Sequence, residues 1–179
     1  RTSDLANYCK VNKIHAIGLC DTNNLCGALE FSELLAKSKT QPIIGTQINV
    51  EYKGKTGKLP FFAKNLEGYK NLIKLSSKSY LEIKDDEDPH CKFEDIKKNY
   101  AGLIILSGTF EGLIGGLFSK NLTDLAIDLI NELRTIFEDN FYLEIQRHGD
   151  AGENLFEKFI LDISNKVNLP IIASHEVYY

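Results

Sequence analysis

The sequence has no methionine, no tryptophan, only four prolines and four cysteines, and no excess of positive charge. It also lacks any apolar run approaching the roughly 18 residues that a membrane-spanning helix needs. Each shortage closes off a class. The polar start at Arg1 has no signal-peptide hydrophobic core, so a cytoplasmic setting is expected. Cys9, Cys20, Cys26 and Cys91 form no Cys-x-x-Cys pair, and reduced thiols are expected in preference to disulfides or a zinc site. With 21 Lys and Arg against 25 Asp and Glu, the net charge is −4. A surface built to neutralise many phosphates needs clustered cations, so any nucleic-acid contact is expected from other domains. The absence of Met and the Arg at position 1 lead to the expectation that a segment precedes this chain in a longer product.

What is present is ordinary globular material, 43% hydrophobic and 26% charged. No linker rich in Pro, Gly or Ser interrupts it, and residues 1–179 are expected to form one domain. Short apolar runs alternate with longer segments of helical period. Ile14–Cys20 reads as a buried strand, followed by a helix over about Gly27–Ser38 and a strand over Pro42–Val50. Leu59–Ala63 reads as a further strand after a Gly-Lys turn, and Gly68–Leu81 as a helix with Leu72, Ile73, Leu75, Ser76 and Tyr80 on one face. Glu82–Lys92, with its acidic run, reads as an exposed loop without the spaced ligands of a calcium loop. Lys92, Lys97 and Lys98, interleaved with Glu94 and Asp95, read as a solvated helix face. Strands at Leu103–Leu106, Phe141–Ile145 and Pro170–Ala173 alternate with helices at Leu122–Phe137 and Asn154–Val167. This alternation implies an α/β fold on a parallel sheet, closed or open, with chemistry gathered at the strand ends.

The polar residues at those ends are Asp21, Thr22, Asn23 and Asn24 after the first strand, Gln47 in the second, and Ser107 and Thr109 after the strand ending at Leu106. Glu144, Gln146 and His148 follow, and Ser174, His175 and Glu176 close the set. It is oxygen-rich, but its few carboxylates and imidazoles are scattered among neutral amides and hydroxyls. A multinuclear metal site needs more charged or imidazole ligands than this.

The run Asp21-Thr22-Asn23-Asn24-Leu25-Cys26-Gly27-Ala28-Leu29-Glu30-Phe31, with Gln41-Pro42-Ile43-Ile44-Gly45 after it, resembles the PHP (polymerase and histidinol phosphatase) domain of the bacterial DNA polymerase III alpha subunit. Further stretches match in order: Ala63–Leu72 with Leu75-Ser76-Ser77, Gly102–Gly108, and Phe141–Gly149, with Leu169–Tyr179 a looser match. The Gly68-Tyr69-Lys70-Asn71-Leu72 stretch points to the polymerase subunit in preference to free-standing phosphatases of the same fold. The resemblance implies a distorted (β/α)7 barrel of the PHP type, here lacking its first strand segment. In active relatives, metal ions held by His, Asp, Glu and sometimes Cys activate water for phosphoester cleavage.

By the same resemblance, the opening His-x-His pair of the family falls before Arg1. Asp21 keeps its place, whereas Thr22 stands where metal-binding members have His, and Gln47 where they have Glu. Lys58 occupies a His position, Thr109 a Cys position and Tyr178 the final His position, while Glu176 replaces Asp and Glu144 is retained. The resemblance therefore implies a vestigial site with no catalytic residue and no metal in this stretch. It places Mg²⁺-dependent nucleotide transfer in a polymerase domain elsewhere in the parent. The implied partners are the rest of the polymerase subunit, a proofreading exonuclease subunit docking on this domain, and DNA through other domains. The alternative is an active metal-dependent phosphoesterase or intrinsic 3′–5′ exonuclease with an unusual ligand set.

Individual residues have structural readings beside the functional ones. Asp21 is a general base or a residue supporting metal ligands, or else a cap for the following helix. Glu144 with His148 is a remnant ligand pair, or else Glu144 is paired with Arg147 or a Lys. His175 and Glu176 are a new site or strand neighbours facing opposite ways. His15 is expected in the core or an interface, and His90 in solvent.

Overall fold

The computed structural model describes residues 2–84 and 86–175. Helix α1 (Thr2–Val11) leads into strand β1 (Ala16–Thr22) and helix α2 (Ala28–Lys37). Phe31 and Leu35, one turn apart on α2, are buried and pack with Ala6 and Cys9 of α1 in a small separate core. Strand β1 is not the buried strand its apolar run predicts. Among the described residues it pairs only with β2 (Gln41–Tyr52), at one end of the sheet, and most of its residues keep solvent contact.

Strand β3 (Lys55–Ala63) is antiparallel to β2, which corrects the expectation of an all-parallel sheet. Two residues join these strands, Lys53 and Gly54, and both have positive φ, 48° and 74°. Such a turn matches strand twist and closes a hairpin, whereas a parallel return needs a crossover of about a dozen residues.

Helix α3 (Leu66–Leu81) starts at Asn65, whose side chain accepts from the Gly68 N–H at 2.9 Å. It buries Leu72, Leu75 and Ser79 and turns Ile73 and Tyr80 outward, so its inner face is narrower than the apolar spacing suggests. The acidic loop ends on an anchored residue: the Pro89 carbonyl accepts from the side-chain amides of Asn23 and Asn49, at 3.0 and 3.1 Å. Strand β4 (Cys91–Lys92) pairs briefly with β2, and helix α4 (Phe93–Lys98) carries the lysine run. Lys97 meets Glu94 and Glu132, as a solvated helix face would.

Strand β5 (Leu103–Leu106), helices α5 (Leu113–Ser119) and α6 (Thr123–Phe137), strand β6 (Phe141–Ile145), helix α7 (Glu153–Val167) and strand β7 (Ile171–Ala173) complete the order. Neither α1 nor α5 is among the expected elements. Helix α5 contains Gly115 and Gly116, which weaken the helical signal, yet Gly115 is required because a Cβ there would stand 2.2 Å from the Phe110 carbonyl.

The strand order is β1-β2-β3-β5-β6-β7, with β4 against β2. The sheet curls into a half-barrel with helices packed on it. Its main core includes Ile48, Leu59, Phe61, Leu129, Phe141 and Leu143, all fully buried. Strands β1, β2, β5, β6 and β7 run in one direction, so their C-terminal ends share a rim. The first half of antiparallel β3 is carried to the same side. No described helix is long and apolar enough to cross a membrane.

Candidate functional site

On that rim a small depression is lined by Gln47, Lys58, Thr109, Glu111 and Glu144, with Pro60, Gly108 and Gly112 completing the wall. Four residues singled out from the sequence, Gln47, Lys58, Thr109 and Glu144, therefore come together from β2, β3, the β5–α5 loop and β6. The cavity is about 20 Å³, little more than the ~10–15 Å³ one water requires. The antiparallel hairpin puts Lys58 here by pairing it with Asn49, two residues beyond Gln47. Thr109 sits in a tight turn that Gly108 enters at φ 76° and the Gly112 N–H closes onto the Thr109 carbonyl at 3.0 Å.

Asp21 and Thr22 lie next door on β1, opposite Thr46 and Gln47, and both are solvent-exposed. Asp21 does not cap α2, which has no side-chain cap. The loop is folded instead by its asparagines. Asn24 accepts from the Cys26 N–H and donates to the Thr22 carbonyl, both at 3.0 Å. Asn23 is buried at φ 55°, and its side chain accepts from the Asn49 N–H at 3.0 Å while reaching Pro89 on its other side. Glu176 and Tyr178 lie outside the described residues.

Glu144 is 4% exposed and Gln146 is 7% exposed. Their shared face follows from strand alternation. One oxygen of Glu144, Oε1, accepts the Ser174 hydroxyl and, at 3.4 Å, the Gln146 amide. The Gln146 amide also donates to Ser174 Oγ at 2.8 Å, and the Glu144 N–H donates to Ser107 Oγ at 2.8 Å. Beyond Gln146, its Oε1 meets His148 Nε2 at 2.9 Å, and the His148 ring lies 4.7 Å from that of His175, tilted by 59°.

This network revises several sequence readings. His148 does not adjoin Glu144, because Gln146 stands between them. Arg147 pairs with Glu157 through two nitrogens, at 2.9 and 2.7 Å, and not with Glu144. That contact holds the Glu157 carboxyl below its usual range. His175 lies past the end of β7 and packs against His148. His15 is exposed and not in the core, and His90 is half-buried with Nδ1 at 2.8 Å from the Asp88 carbonyl.

A family model described as the PHP domain matches residues 1–148. The chain belongs to the PHP domain family. It is 36% identical over 179 residues to the DNA polymerase III subunit alpha of Rickettsia bellii, covering 99% of this chain and 15% of that protein. It is 34% identical to the subunit of Caulobacter vibrioides, covering 93% of this chain and 15% of that one. The subunit of Borreliella burgdorferi is 33% identical, with 100% of this chain and 16% of that protein covered. The chain thus spans about 15% of the length of these relatives. Among solved structures, a proposed metal-dependent phosphoesterase of Bifidobacterium adolescentis superposes with a TM-score of 0.64 at 11% identity, covering 97% of this chain and 80% of that one. That likeness establishes the fold.

The described donors of this PHP domain do not fit a metal cluster. Among the described residues no group of three or more His, Cys, Asp or Glu is placed to hold a metal ion. In the depression Glu144 already accepts two hydrogen bonds, Glu111 is exposed, Gln47 is a neutral amide and Lys58 adds an ammonium. A hard cation needs several anionic or carbonyl oxygens, and a zinc ion three or four protein donors. Sequence reasoning missed the roles of Gln146 and Ser174 as the link between Glu144 and the histidines. The alternation Glu144, Gln146, His148 was the available signal for part of it, but nothing in sequence placed Ser174 and His175 beside that face.

Proposed function

We propose that this PHP domain is part of the alpha subunit of a replicative DNA polymerase III, in which residues 1–179 act as one domain with no hydrolytic activity. In this reading it stabilises the large subunit and offers a docking surface to a proofreading exonuclease subunit. Nucleotide transfer with Mg²⁺ and the contacts to DNA belong to other parts of the polypeptide, and the setting is the cytoplasm. Similarity to polymerase alpha subunits along 99% of the chain supports the first part. The observation that carries the loss of hydrolysis is Lys58 lining the same depression as Gln47 and Glu144. An ammonium there opposes a divalent cation, and an amide stands where a carboxylate would supply charge.

The test is made on the full-length subunit. Phosphoesterase and 3′–5′ exonuclease assays with Mn²⁺ or Zn²⁺ are expected to show no turnover above a protein-free control. Metal-dependent turnover that Glu144→Gln abolishes would establish instead a metal-dependent phosphoesterase or exonuclease of the PHP family. For docking, the subunit is expected to co-purify with its exonuclease partner. Failure to do so with this domain folded would refute that role.

A further inference from the structure

The hydrogen-bond chain from Glu144 to His148 has a direction. Ser174 Oγ–H and the Gln146 amide N–H groups both point to the carboxylate, which only accepts. The orientation of the Gln146 amide is therefore fixed, and its carbonyl oxygen faces His148 Nε2 at 2.9 Å. That oxygen also only accepts, so His148 Nε2 carries the proton and donates. The neutral ring then keeps its lone pair on Nδ1. An imidazole whose one N–H is held by an oxygen acceptor, with the other nitrogen left to donate electrons, is how metal-ligating histidines are oriented.

A second imidazole stands beside it, His175, with ring centroids 4.7 Å apart. Both residues are exposed, and both are held by their chain neighbours. The His148 N–H donates to both carboxylate oxygens of Glu153, at 3.0 Å, and Gly149 adds a 2.8 Å bond. These backbone donors, His148 first, keep the Glu153 carboxyl below its usual range. Ser174, just before His175, is fixed through its N–H to the Ile145 carbonyl at 3.2 Å and through its hydroxyl to Glu144. One ion bound by both imidazoles needs two of their nitrogens about 3 Å apart. With the ring centres at 4.7 Å and His148 held by Gln146, turning the His175 ring is the adjustment that brings them there.

We propose that His148 and His175 form a two-imidazole site for a single Cu²⁺ or Ni²⁺ ion, with water completing its coordination. The site is separate from the depression around Lys58. His175 stands at no position where the family resemblance places a ligand, and His148 is parted here from Glu144, its expected ligand partner, by Gln146. Imidazole nitrogen selects this class of ion over Mg²⁺ and Ca²⁺, and affinity follows the order Zn²⁺ below Cu²⁺, with Ni²⁺ also below Cu²⁺.

Cu²⁺ titration of the 179-residue chain at neutral pH, followed by electron paramagnetic resonance and calorimetry, tests this. One equivalent with two nitrogen ligands is expected. His148→Ala and His175→Ala are each expected to weaken binding by at least about tenfold, and Gln146→Ala by about 10–100-fold with the two-nitrogen signature kept. The double variant His15→Ala/His90→Ala is expected to bind as the parent does, and circular dichroism checks that every variant is folded. The proposal is overturned if the parent binds no ion, or if either single histidine variant or Gln146→Ala binds as tightly as the parent. It is equally overturned if binding disappears on Glu144→Gln while a two-nitrogen signal was never present. Hydrolytic turnover is not a readout here, so failure of this site and failure of the silent-domain reading are distinguished.

Discussion

Gly68 rests directly on the carbonyl of Gly102: a Cβ added at Gly68 would stand 1.9 Å from that oxygen. The same carbonyl accepts the Lys64 N–H at 2.9 Å, and Gly102 itself turns at φ 70° beside the Asn65 side chain. The first turn of α3 is thereby clamped to the turn that enters β5. Two of the stretches that carry the family resemblance are in this way the two sides of one backbone contact.

Gly68→Ala is accordingly expected to cost about 1–3 kcal/mol through forced backbone displacement. For a chain of this size each 1 kcal/mol lowers the melting temperature by about 2–4 °C. Gly116→Ala in α5, where a Cβ would meet nothing within 4 Å, should leave stability unchanged or raise it by about 0.5–1 kcal/mol. Thermal denaturation of the two variants side by side checks this, and equal melting points would contradict it.

If Lys58 and Gln47 are what exclude a metal from the depression, exchanging them should admit one. The variant Gln47→Glu/Lys58→His adds a carboxylate and an imidazole beside Glu144 and removes the ammonium. In a background carrying His148→Ala and His175→Ala, it is expected to bind Mn²⁺ or Zn²⁺ at least about tenfold more tightly than that background alone. Calorimetry showing no gain would mean that something other than these two side chains excludes the ion.

Cys91 is buried, donates its thiol to the Leu75 carbonyl at 3.1 Å, and is pushed up to about 12 chiefly by burial, with Asp95 adding to it. The unfolded chain releases this proton from about pH 9, the ordinary value, while the native state holds it to about 12. The native state then binds more protons than the unfolded one between those values, so this contribution to stability is whole below 9 and declines as pH rises towards 12. Cys91→Ser should remove the part of the alkaline loss of stability that belongs to this thiol. In native protein at pH 8, a thiol reagent should label the exposed Cys26 well before Cys91.

Ser174→Ala removes the hydroxyl that donates to Glu144 and accepts from Gln146, leaving buried polar atoms short of partners. A cost of about 1–3 kcal/mol is expected, read by chemical denaturation. Because the β7 end depends on this bond and on the Ser174 N–H to Ile145 contact, amide exchange at residues 172–175 should rise more than in the β2–β3 hairpin. Uniform exchange across both regions would argue against a local role for Ser174.

Much of the architecture was determined by the sequence alone, because hydrophobic period is a local property. Leu103–Leu106 and Phe141–Ile145 are strands at the expected bounds, and the helices after Gly27, Leu122 and Gly152 begin and end within a residue or so of their periodic segments. The residues standing at the family's motif positions could likewise be named from sequence, including Glu144, which keeps the motif, and Gln47 and Lys58, which depart from it. Tertiary structure alone decided which of these meet. The left-handed pair Lys53 and Gly54 reversed β3 and brought Lys58 to the rim, a consequence of two backbone angles that no apolar pattern encodes. The position of β1 at the end of the sheet left an apolar strand half exposed, since burial depends on neighbours and not on composition. The contact of His148 with His175 joins residues 27 positions apart, through a serine and a glutamine whose partners are fixed only when β6 and β7 pair. Hydrogen-bond direction along that chain depends on which donors face a buried carboxylate, and that is a property of packing in three dimensions.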